Sequence, residues 1–357
     1  MTDTSAILIR NIFHMLCYAF KILRQKNYQK IETEEFLHVQ DMLAAILARG
    51  ISQQLKQGLY RSYASISEHS KTVRGKIDLY ETKLLQVKRI REVECTHDEF
   101  SPDNLLNQIL KATCQCLIKC PDVELNQKSE LRKVFPYFST VSDIDLSTVQ
   151  WGRLQYHRNN RSYEMLMNIC YMVWQSLLPS TSTGRTNFSM FDEEGLPRLY
   201  EKFILEYYRQ HFPMLHASDK AIKWDIPADT DPFMIRLLPG MHSDITLRHN
   251  GLTKIIDAKY YRHSLSNYRD KQILHNANLY QIYTYVKNED KTGSHKVSGL
   301  LLYARTTEEA EPFLSVAMGG NMIEVRSLDL NRSFPEIASA LDNIVVKSFG
   351  DSIRRVS

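Results

Sequence analysis

Residues 243–261, SDITLRHNGLTKIIDAKYY, hold two strand-like runs on either side of Asn250-Gly251. This dipeptide favours a two-residue type I′ turn, because both central positions of that turn need a positive φ. Counting outward from the turn places Asp244 directly opposite Asp257. Lys259 follows Asp257 by two residues and therefore points to the same face of the sheet. The stretch predicts a β-hairpin that brings two acids and a lysine together.

A bare pair of acids at these positions would destabilise the hairpin, because two carboxylates whose Cβ atoms lie about 5 Å apart repel each other. A divalent cation between them removes the repulsion. Oxygen ligands that leave room for water and phosphate suit Mg²⁺, with Mn²⁺ as the alternative. Lys259 beside the metal can orient an attacking water and offset charge on a phosphate, which predicts hydrolysis of a phosphodiester. The other interpretation is that Asp244 and Asp257 face solvent on an exposed sheet.

The segments around the hairpin predict an α/β layered domain. Helical periodicity covers LPRLYEKFILEYYRQHF, KQILHNANLYQIYTYVKN and FPEIASALDNIVV. Strand-like runs are AIKWDI, MIRLLPG, VSGLLLYA and MIEVRSLDL.

The half of the chain before this domain is predicted to be mainly helical with a small β component. Helices are predicted in ILIRNIFHMLCYAFKIL, EEFLHVQDMLAAILARGISQQLKQG, SPDNLLNQIL (with Ser101 or Asp103 as the cap) and SYEMLMNICYMVWQSLL. YRSYASISEHSKTVRGKIDLYETKLLQ reads as strands joined by a turn. The Ser- and Thr-rich stretch 178–190 has no periodicity, so we place a domain boundary there, dividing the chain into residues 1–185 and 186–357.

Composition limits the function classes. The net charge of +4 over 357 residues permits nucleic-acid contact through a local patch and does not demand it. No apolar run approaches the roughly 18–20 residues of a membrane span, and the first residues do not resemble a signal peptide, so a cytoplasmic location is expected. The six cysteines are then expected to be reduced. Cys95, His97, Cys116 and Cys120 offer an alternative zinc site, but buried thiols within helical patterns are the favoured interpretation.

Short motifs connect the hairpin to a known superfamily. Asp257-Ala258-Lys259 resembles the D-x-K element of PD-(D/E)XK nucleases, and Gln281 with Tyr285 in NLYQIYTYV resembles the Q-x-x-x-Y element of their RecB-like branch. Positions i and i+4 share one helix face, so both side chains could reach the site. The alternative is helix packing by Tyr285 and an exposed Gln281.

The wider pattern covers nearly the whole chain. RNIFHMLCYAF, RGKID, DNLLNQILK, LYEKFILEYY, LPGMHSDITLR, DAKYY, NLYQIYTYV and GLLLYA, in this order, are similar to the McrC family, the nuclease subunits of McrBC modification-dependent restriction systems. The resemblance implies an α+β N-terminal domain that binds a partner, followed by an α/β PD-(D/E)XK endonuclease domain with a mixed central sheet flanked by helices. The usual proline before the first acid is displaced here, since Pro239 lies five residues upstream of Asp244.

The resemblance also implies an activity. The chain would be the Mg²⁺-dependent endonuclease subunit of a methylcytosine-type restriction system, cleaving double-stranded DNA and stimulating a McrB-like AAA+ GTPase. Asp244, Asp257 and Lys259 would be catalytic, the two aspartates would bind the metal, and Glu201 resembles the extra acid of some superfamily members. Glu201 is otherwise a surface helix charge. The chain has no G-x-x-x-x-G-K-[ST] loop, so no nucleotide is expected on this chain itself.

Two further sets of residues are candidates for contacts. YYRHSLSNYRDKQ follows the hairpin directly, and cations and hydroxyls there suit DNA phosphates: Tyr261, Arg262, His263, Arg269 and Lys271. Arg74 and Lys76 form a basic turn that could contact the GTPase, or an ordinary hairpin loop. Two other functions remain open: a stand-alone RecB-like nuclease, and a nuclease-derived adaptor that mainly activates the GTPase.

Overall fold

The structure is a computed structural model that describes residues 3–20, 28, 31, 34, 36–177, 191–260, 265–268, 271–305, 312–350, 353, 355 and 356. The chain divides into two compact units, one of residues Met1–Val39 with Leu178–Ser357 and one of residues Gln40–Leu177. The sequence placed the first 39 residues in the N-terminal domain, whereas their contacts group them with the C-terminal half. The predicted boundary after residue 185 falls outside the described residues.

The first helix explains this grouping. Helix α1 (Asp3–Ala19) packs on α7 (Phe191–His211). The side-chain amide of Asn11, only 2% exposed, donates to the carbonyl oxygens of Leu330 at 2.7 Å and Arg332 at 2.8 Å. The hydroxyl of Tyr18 lies 2.8 Å from Nε2 of His211. Buried polar groups must find hydrogen-bond partners, and those of α1 find them in the C-terminal unit.

Within the described residues, six strands of this unit form one mixed sheet in the order β10-β11-β9-β6-β5-β4. Pairing is antiparallel from β4 to β6, parallel from β6 through β9 to β11, and antiparallel between β11 and β10. This confirms the predicted mixed sheet flanked by helices. The strands are β4 (Ser218–Ile222), β5 (Met241–His249), β6 (Leu252–Tyr260), β9 (Val297–Arg305), β10 (Leu314–Met318) and β11 (Asn321–Asp329).

The hairpin β5–β6 has the predicted register. Ile245 pairs with Ile256, and the same register continues to His249 and Leu252 beside the turn. Asn250 and Gly251 have φ values of 47° and 77°, as a type I′ turn requires. The ladder ends at Ile245 and Ile256, and continuing it by one residue places Asp244 opposite Asp257.

Helix α9 (Asn276–Glu289) covers the sheet face that carries the acids. Its residues Ile282, Tyr285 and Val286 pack in a buried cluster with Ile255, which lies two residues before Asp257 on the same face of β6. Gly299 in β9 permits this approach, because a Cβ there would lie 2.7 Å from Cγ1 of Ile282. On the opposite face the ring of Tyr260 contacts that of Tyr200 in α7 at 6.0 Å. Helix α10 (Phe334–Phe349) packs on β11.

Four details of this unit differ from the sequence expectations. The strand predicted over AIKWDI, residues 221–226, is β4 (Ser218–Ile222), which begins and ends earlier in the chain. MIRLLPG was predicted to be a strand, but a short helix α8 (Pro232–Leu237) occupies it, capped by the side chain of Asp231, which accepts from the amide of Phe233. The helix predicted from residue 271 begins at Asn276. Before it lies a separate two-stranded sheet of β7 (Leu265–Tyr268) and β8 (Lys271–Leu274). Strand β10 was not predicted.

The unit of residues Gln40–Leu177 is helical with one small sheet of order β1-β3-β2 among its described residues, which agrees with the predicted composition. The expectation of strands throughout 60–86 was wrong, because LYETKLLQV forms helix α3, capped by the Asp78 carboxylate. The cap of α4 is Asn104 rather than Ser101 or Asp103. The elements are α2 (Val39–Leu55), β1 (Ser62–Ser70), β2 (Lys76–Ile77), α3 (Leu79–Val87), β3 (Val93–Ser101), α4 (Leu105–Lys119), α5 (Leu125–Val134) and α6 (Tyr163–Leu177).

No helix among the described residues is both long enough and apolar enough to span a membrane.

Candidate active site

Asp257 is the most deeply buried charged residue of the hairpin. It is 0% exposed and pairs with Leu301 in the parallel neighbour β9. Its Oδ2 lies 2.9 Å from Nζ of Lys259 as an ion pair. Lys259 and the carboxyl group of Asp244 are its side-chain partners, but among the described residues neither oxygen makes a hydrogen bond of good geometry. A buried carboxylate with so little compensation is costly, which indicates a ligand site rather than a solvated surface.

Asp244 is held against Asp257 by the backbone. Its Oδ2 accepts a hydrogen bond of 2.9 Å from the amide nitrogen of Ala258, the residue between Asp257 and Lys259. The amide fixes one oxygen of Asp244 at the centre of the D-x-K element. Sequence reasoning missed this contact, because a backbone donor leaves no side-chain signal.

The electrostatics of the pair follow from burial and like charge. Burial, with the charges of Asp257 and Glu201 adding to it, raises the pKa of Asp244 from 3.8 to about 7. Burial also raises the pKa of Asp257, against the opposing charge of Lys259. Two acids that resist ionisation beside each other are typical of functional sites and of sites that a cation completes.

The carboxylate of Glu201 interacts electrostatically with Lys259 and Asp257. Burial raises its pKa, the charge of Lys259 lowers it, and the charge of Asp257 raises it again. Glu201 is therefore half-buried beside the pair rather than a solvated helix charge, although it comes from the distant helix α7. No group of three or more His, Cys, Asp or Glu side chains in the described part of the chain is arranged to hold a metal ion.

The residues present fit a divalent cation through two ligands. Asp244 and Asp257 supply oxygen atoms from adjacent strands, and the oxygens of Asp257 are buried without a hydrogen bond of good geometry among the described residues. Such a donor set suits Mg²⁺ or Mn²⁺ with water and phosphate oxygens as the remaining ligands.

Gln281 and Tyr285 lie on α9, above the face of the acids. The side-chain amide of Gln281 donates to the hydroxyl of Tyr285 at 2.8 Å. Tyr285 is 7% exposed and packs with Ile255 and Leu301, the sheet neighbours of Asp257. The structure thus brings the two residues to each other and to the correct face, and their contact with a substrate stays a prediction.

The structure describes only some of the candidate residues for contact with DNA and with the GTPase. Tyr261, Arg262, His263 and Arg269 lie outside the described residues, and only the backbone of Lys271, at the start of β8, is described. Arg74 and Lys76 are exposed on either side of Gly75, whose φ of 71° and close approach to Thr96 and His97 demand glycine.

The cysteines agree with the favoured interpretation. Cys95 and Cys120 are buried free thiols, and Cys116 is partly buried. Burial raises the pKa of Cys116 and of Cys120, as expected for thiols packed among apolar side chains.

Comparisons with known proteins match nearly the whole chain. The family model for the McrBC 5-methylcytosine restriction system component matches residues 3–304. The type IV methyl-directed restriction enzyme EcoKMcrBC of Escherichia coli (strain K12) is 28% identical over 304 residues, covering 84% of this chain and 87% of that protein.

Two solved structures of Thermococcus gammatolerans are also similar. One is a half-complex from a tetradecameric assembly of McrB AAA+ hexamers with bound McrC, with 16% identity, a TM-score of 0.49, and coverage of 94% of this chain and 76% of that one. The other is the McrBC complex, with 17% identity, a TM-score of 0.41, and coverage of 57% and 58%.

Proposed function

The chain belongs to the family of McrBC 5-methylcytosine restriction system components, and from this premise we propose that it is the subunit that cleaves DNA. In this proposal it hydrolyses phosphodiester bonds of methylated double-stranded DNA with Mg²⁺ and stimulates a partner AAA+ GTPase. In this proposal the partner hydrolyses GTP, since the given sequence has no G-x-x-x-x-G-K-[ST] loop, and the partner also recognises the modification.

The observation that carries the proposal is the buried pair of Asp244 and Asp257 with Lys259 beside it. A surface acid pair would be solvated and would keep an ordinary pKa. Here the pKa values of both acids are raised, and the oxygens of Asp257 are buried without hydrogen-bond partners of good geometry among the described residues. A cation bound between Asp244 and Asp257 would offset the repulsion of the two carboxylates and favour their ionised forms.

Asp244 and Asp257 would hold the metal, which when bound supplies a Lewis acid that lowers the pKa of water and neutralises phosphate charge. The other roles belong to the chain itself. The Ala258 amide keeps Asp244 oriented. Lys259, paired with Asp257 at 2.9 Å, places a positive charge where the phosphate gains negative charge. Helix α9 covers this face and presents Gln281 and Tyr285, which we propose as supports for the substrate.

Contacts outside the centre complete the proposal. Tyr261, Arg262, His263, Arg269 and Lys271 follow the catalytic strand and would bind phosphates. Arg74 and Lys76 are exposed on either side of Gly75, a position that requires glycine, and they would contact the GTPase.

A plasmid assay tests the proposal. Methylated and unmethylated plasmid are incubated with the purified chain and Mg²⁺, with and without the GTPase, and cleavage and GTP turnover are measured. We expect cutting of methylated plasmid in the complete mixture. Cleavage without the GTPase supports a stand-alone nuclease instead, and raised GTP turnover without any cleavage supports an adaptor.

Variants identify the site. Asp257→Ala is expected to abolish cleavage and to lower Mn²⁺ binding measured by calorimetry, while GTPase stimulation persists. Asp219→Ala on β4 is the matched control, because Asp219 is an exposed acid of the same sheet paired with Arg209 at 3.0 Å. Cleavage by Asp257→Ala at the rate of the control would refute the site.

A further inference from the structure

A second cationic surface lies in the unit that does not carry the paired aspartates. Residues 151–162, WGRLQYHRNNRS, are here called the arginine loop. Arg153, Arg158 and Arg161 are all exposed, as is His157. The sequence from 146 to 163 contains no Asp or Glu. The loop therefore concentrates three charges of one sign within nine residues.

These arginines, like most cations of the same unit, have no acidic partner among the described residues. None of the three lies within ion-pair distance of an acid among the described residues. Exceptions include Lys111, which pairs with Asp143 at 2.9 Å, and Lys133, which pairs with Glu130 at 2.5 Å. An unpaired guanidinium keeps its full fork of donors for an external oxyanion.

One acid does border the loop. Glu164 begins the first turn of α6, and its charge contributes, after burial, to raising the pKa of Tyr156 to about 12. Glu164 therefore lies near Tyr156. One carboxylate against three guanidinium groups leaves the surface positive.

The loop is also rigidly supported, although it contains little regular structure. The ring of Trp151 contacts those of Tyr171 at 5.2 Å and Trp174 at 5.8 Å, which anchors the loop on α6. The backbone N–H of Asn160, a residue only 3% exposed, donates to the carbonyl oxygen of His157 at 3.1 Å, and its backbone carbonyl oxygen accepts from the N–H of Tyr163 at 2.9 Å. A surface that is ordered in advance loses less conformational entropy on binding.

We propose that the arginine loop binds the phosphate backbone of duplex DNA, as a contact separate from the one at the paired aspartates. The inference rests on the proposed function only for the identity of the nucleic acid. Arginine forks match phosphate geometry, and contacts to phosphate position a protein on DNA without reading its sequence. A protein partner is less well matched, because no large apolar side chain is exposed in this loop, whereas Val73, Leu79 and Tyr80 are 59–71% exposed elsewhere in the unit.

Fluorescence anisotropy of the full chain with a labelled duplex, in EDTA and over a series of salt concentrations, tests the proposal. The variant carries Arg153→Ala, Arg158→Ala and Arg161→Ala. If each arginine neutralises one phosphate, the slope of log affinity against log salt becomes shallower by about 2.7. Wild type then loses about 40-fold more affinity than the variant between roughly 50 and 200 mM salt. A methylated and an unmethylated duplex should respond alike.

A triple variant of Lys119→Ala, Arg132→Ala and Lys133→Ala is the matched control, since it removes the same charge from exposed positions of the same unit. Its slope should stay within about half a unit of wild type. Equal slopes for the arginine variant and wild type, an equal fall in both triple variants, or no binding of duplex by wild type would overturn the proposal. Loss of GTPase stimulation with DNA binding intact would overturn it too, by assigning the loop to the partner.

Failure of the proposed function gives a different result. In that case wild type binds duplex with the expected salt slope but cuts no plasmid in any mixture.

Discussion

Asp244→Asn should remove the part of the pH dependence of stability that Asp244 contributes in the buried acid pair. In the folded chain burial and the charges of Asp257 and Glu201 raise the pKa of Asp244 from 3.8 to about 7. Between these values the folded state keeps a proton that the unfolded state has released, so the free energy of unfolding falls as pH rises. Each pKa unit corresponds to about 1.4 kcal/mol, so the full loss is on the order of 4 kcal/mol between about pH 4 and pH 7.

The assay is hydrogen exchange at the amides of β5 and β6 in EDTA, which reports the stability of this sheet rather than of the whole chain. In wild type, protection should fall across this pH range, and Mg²⁺ should restore it most at the high end, where both carboxylates must ionise. Asp244→Asn should make the pH dependence shallower, leaving the part that burial of Asp257 causes, and should weaken the Mg²⁺ effect. Asp219→Asn, an exposed acid of the same sheet, should behave as wild type. Constant or rising protection of wild type with pH in EDTA would refute the assignment of a strained acid pair.

Three further substitutions test other parts of the structure. Gly299→Ala should lower the free energy of unfolding by about 1–3 kcal/mol in urea titrations, because its Cβ would lie 2.7 Å from Ile282; a change below about 0.5 kcal/mol contradicts the close packing of α9. Asp290→Asn should cost about 1.5–3 kcal/mol at neutral pH, since its carboxylate accepts from Ser294, His295 and Asn321. These bonds, against the opposing effect of burial, lower the pKa of Asp290 to about 2, so the difference from wild type should shrink as pH falls from about 4 towards 2; a pH-independent difference argues against a charged acceptor. Gly75→Ala should lower exchange protection in β2 and β3, because φ is 71° there, whereas Gly152→Ala, which has open space around it, should leave protection unchanged.

Local chemistry made the centre of the candidate site predictable. Asn250-Gly251 selects one turn type, the turn fixes the register, and the register alone puts Asp244 opposite Asp257. The long amphipathic helices could also be predicted from the sequence, because the apolar residues of α6 and α10 recur with the helical period and form one buried face.

Short segments were not predictable in this way. LYETKLLQV and PFMIRL have apolar residues that fit either a strand or a helix, and their caps at Asp78 and Asp231 decide for a helix only when the neighbouring chain leaves room for it. Strand β10 exists because β11 offers it a partner.

Sequence by itself determined that the two acids lie together with the lysine beside them, because these positions follow from a turn of two residues. Only the tertiary structure decided that helix α1 joins the C-terminal unit, that Glu201 lies beside Asp257, and that the aspartates are buried deeply enough to raise their pKa values. Burial and charge proximity depend on residues far apart in the chain, and no local pattern encodes them.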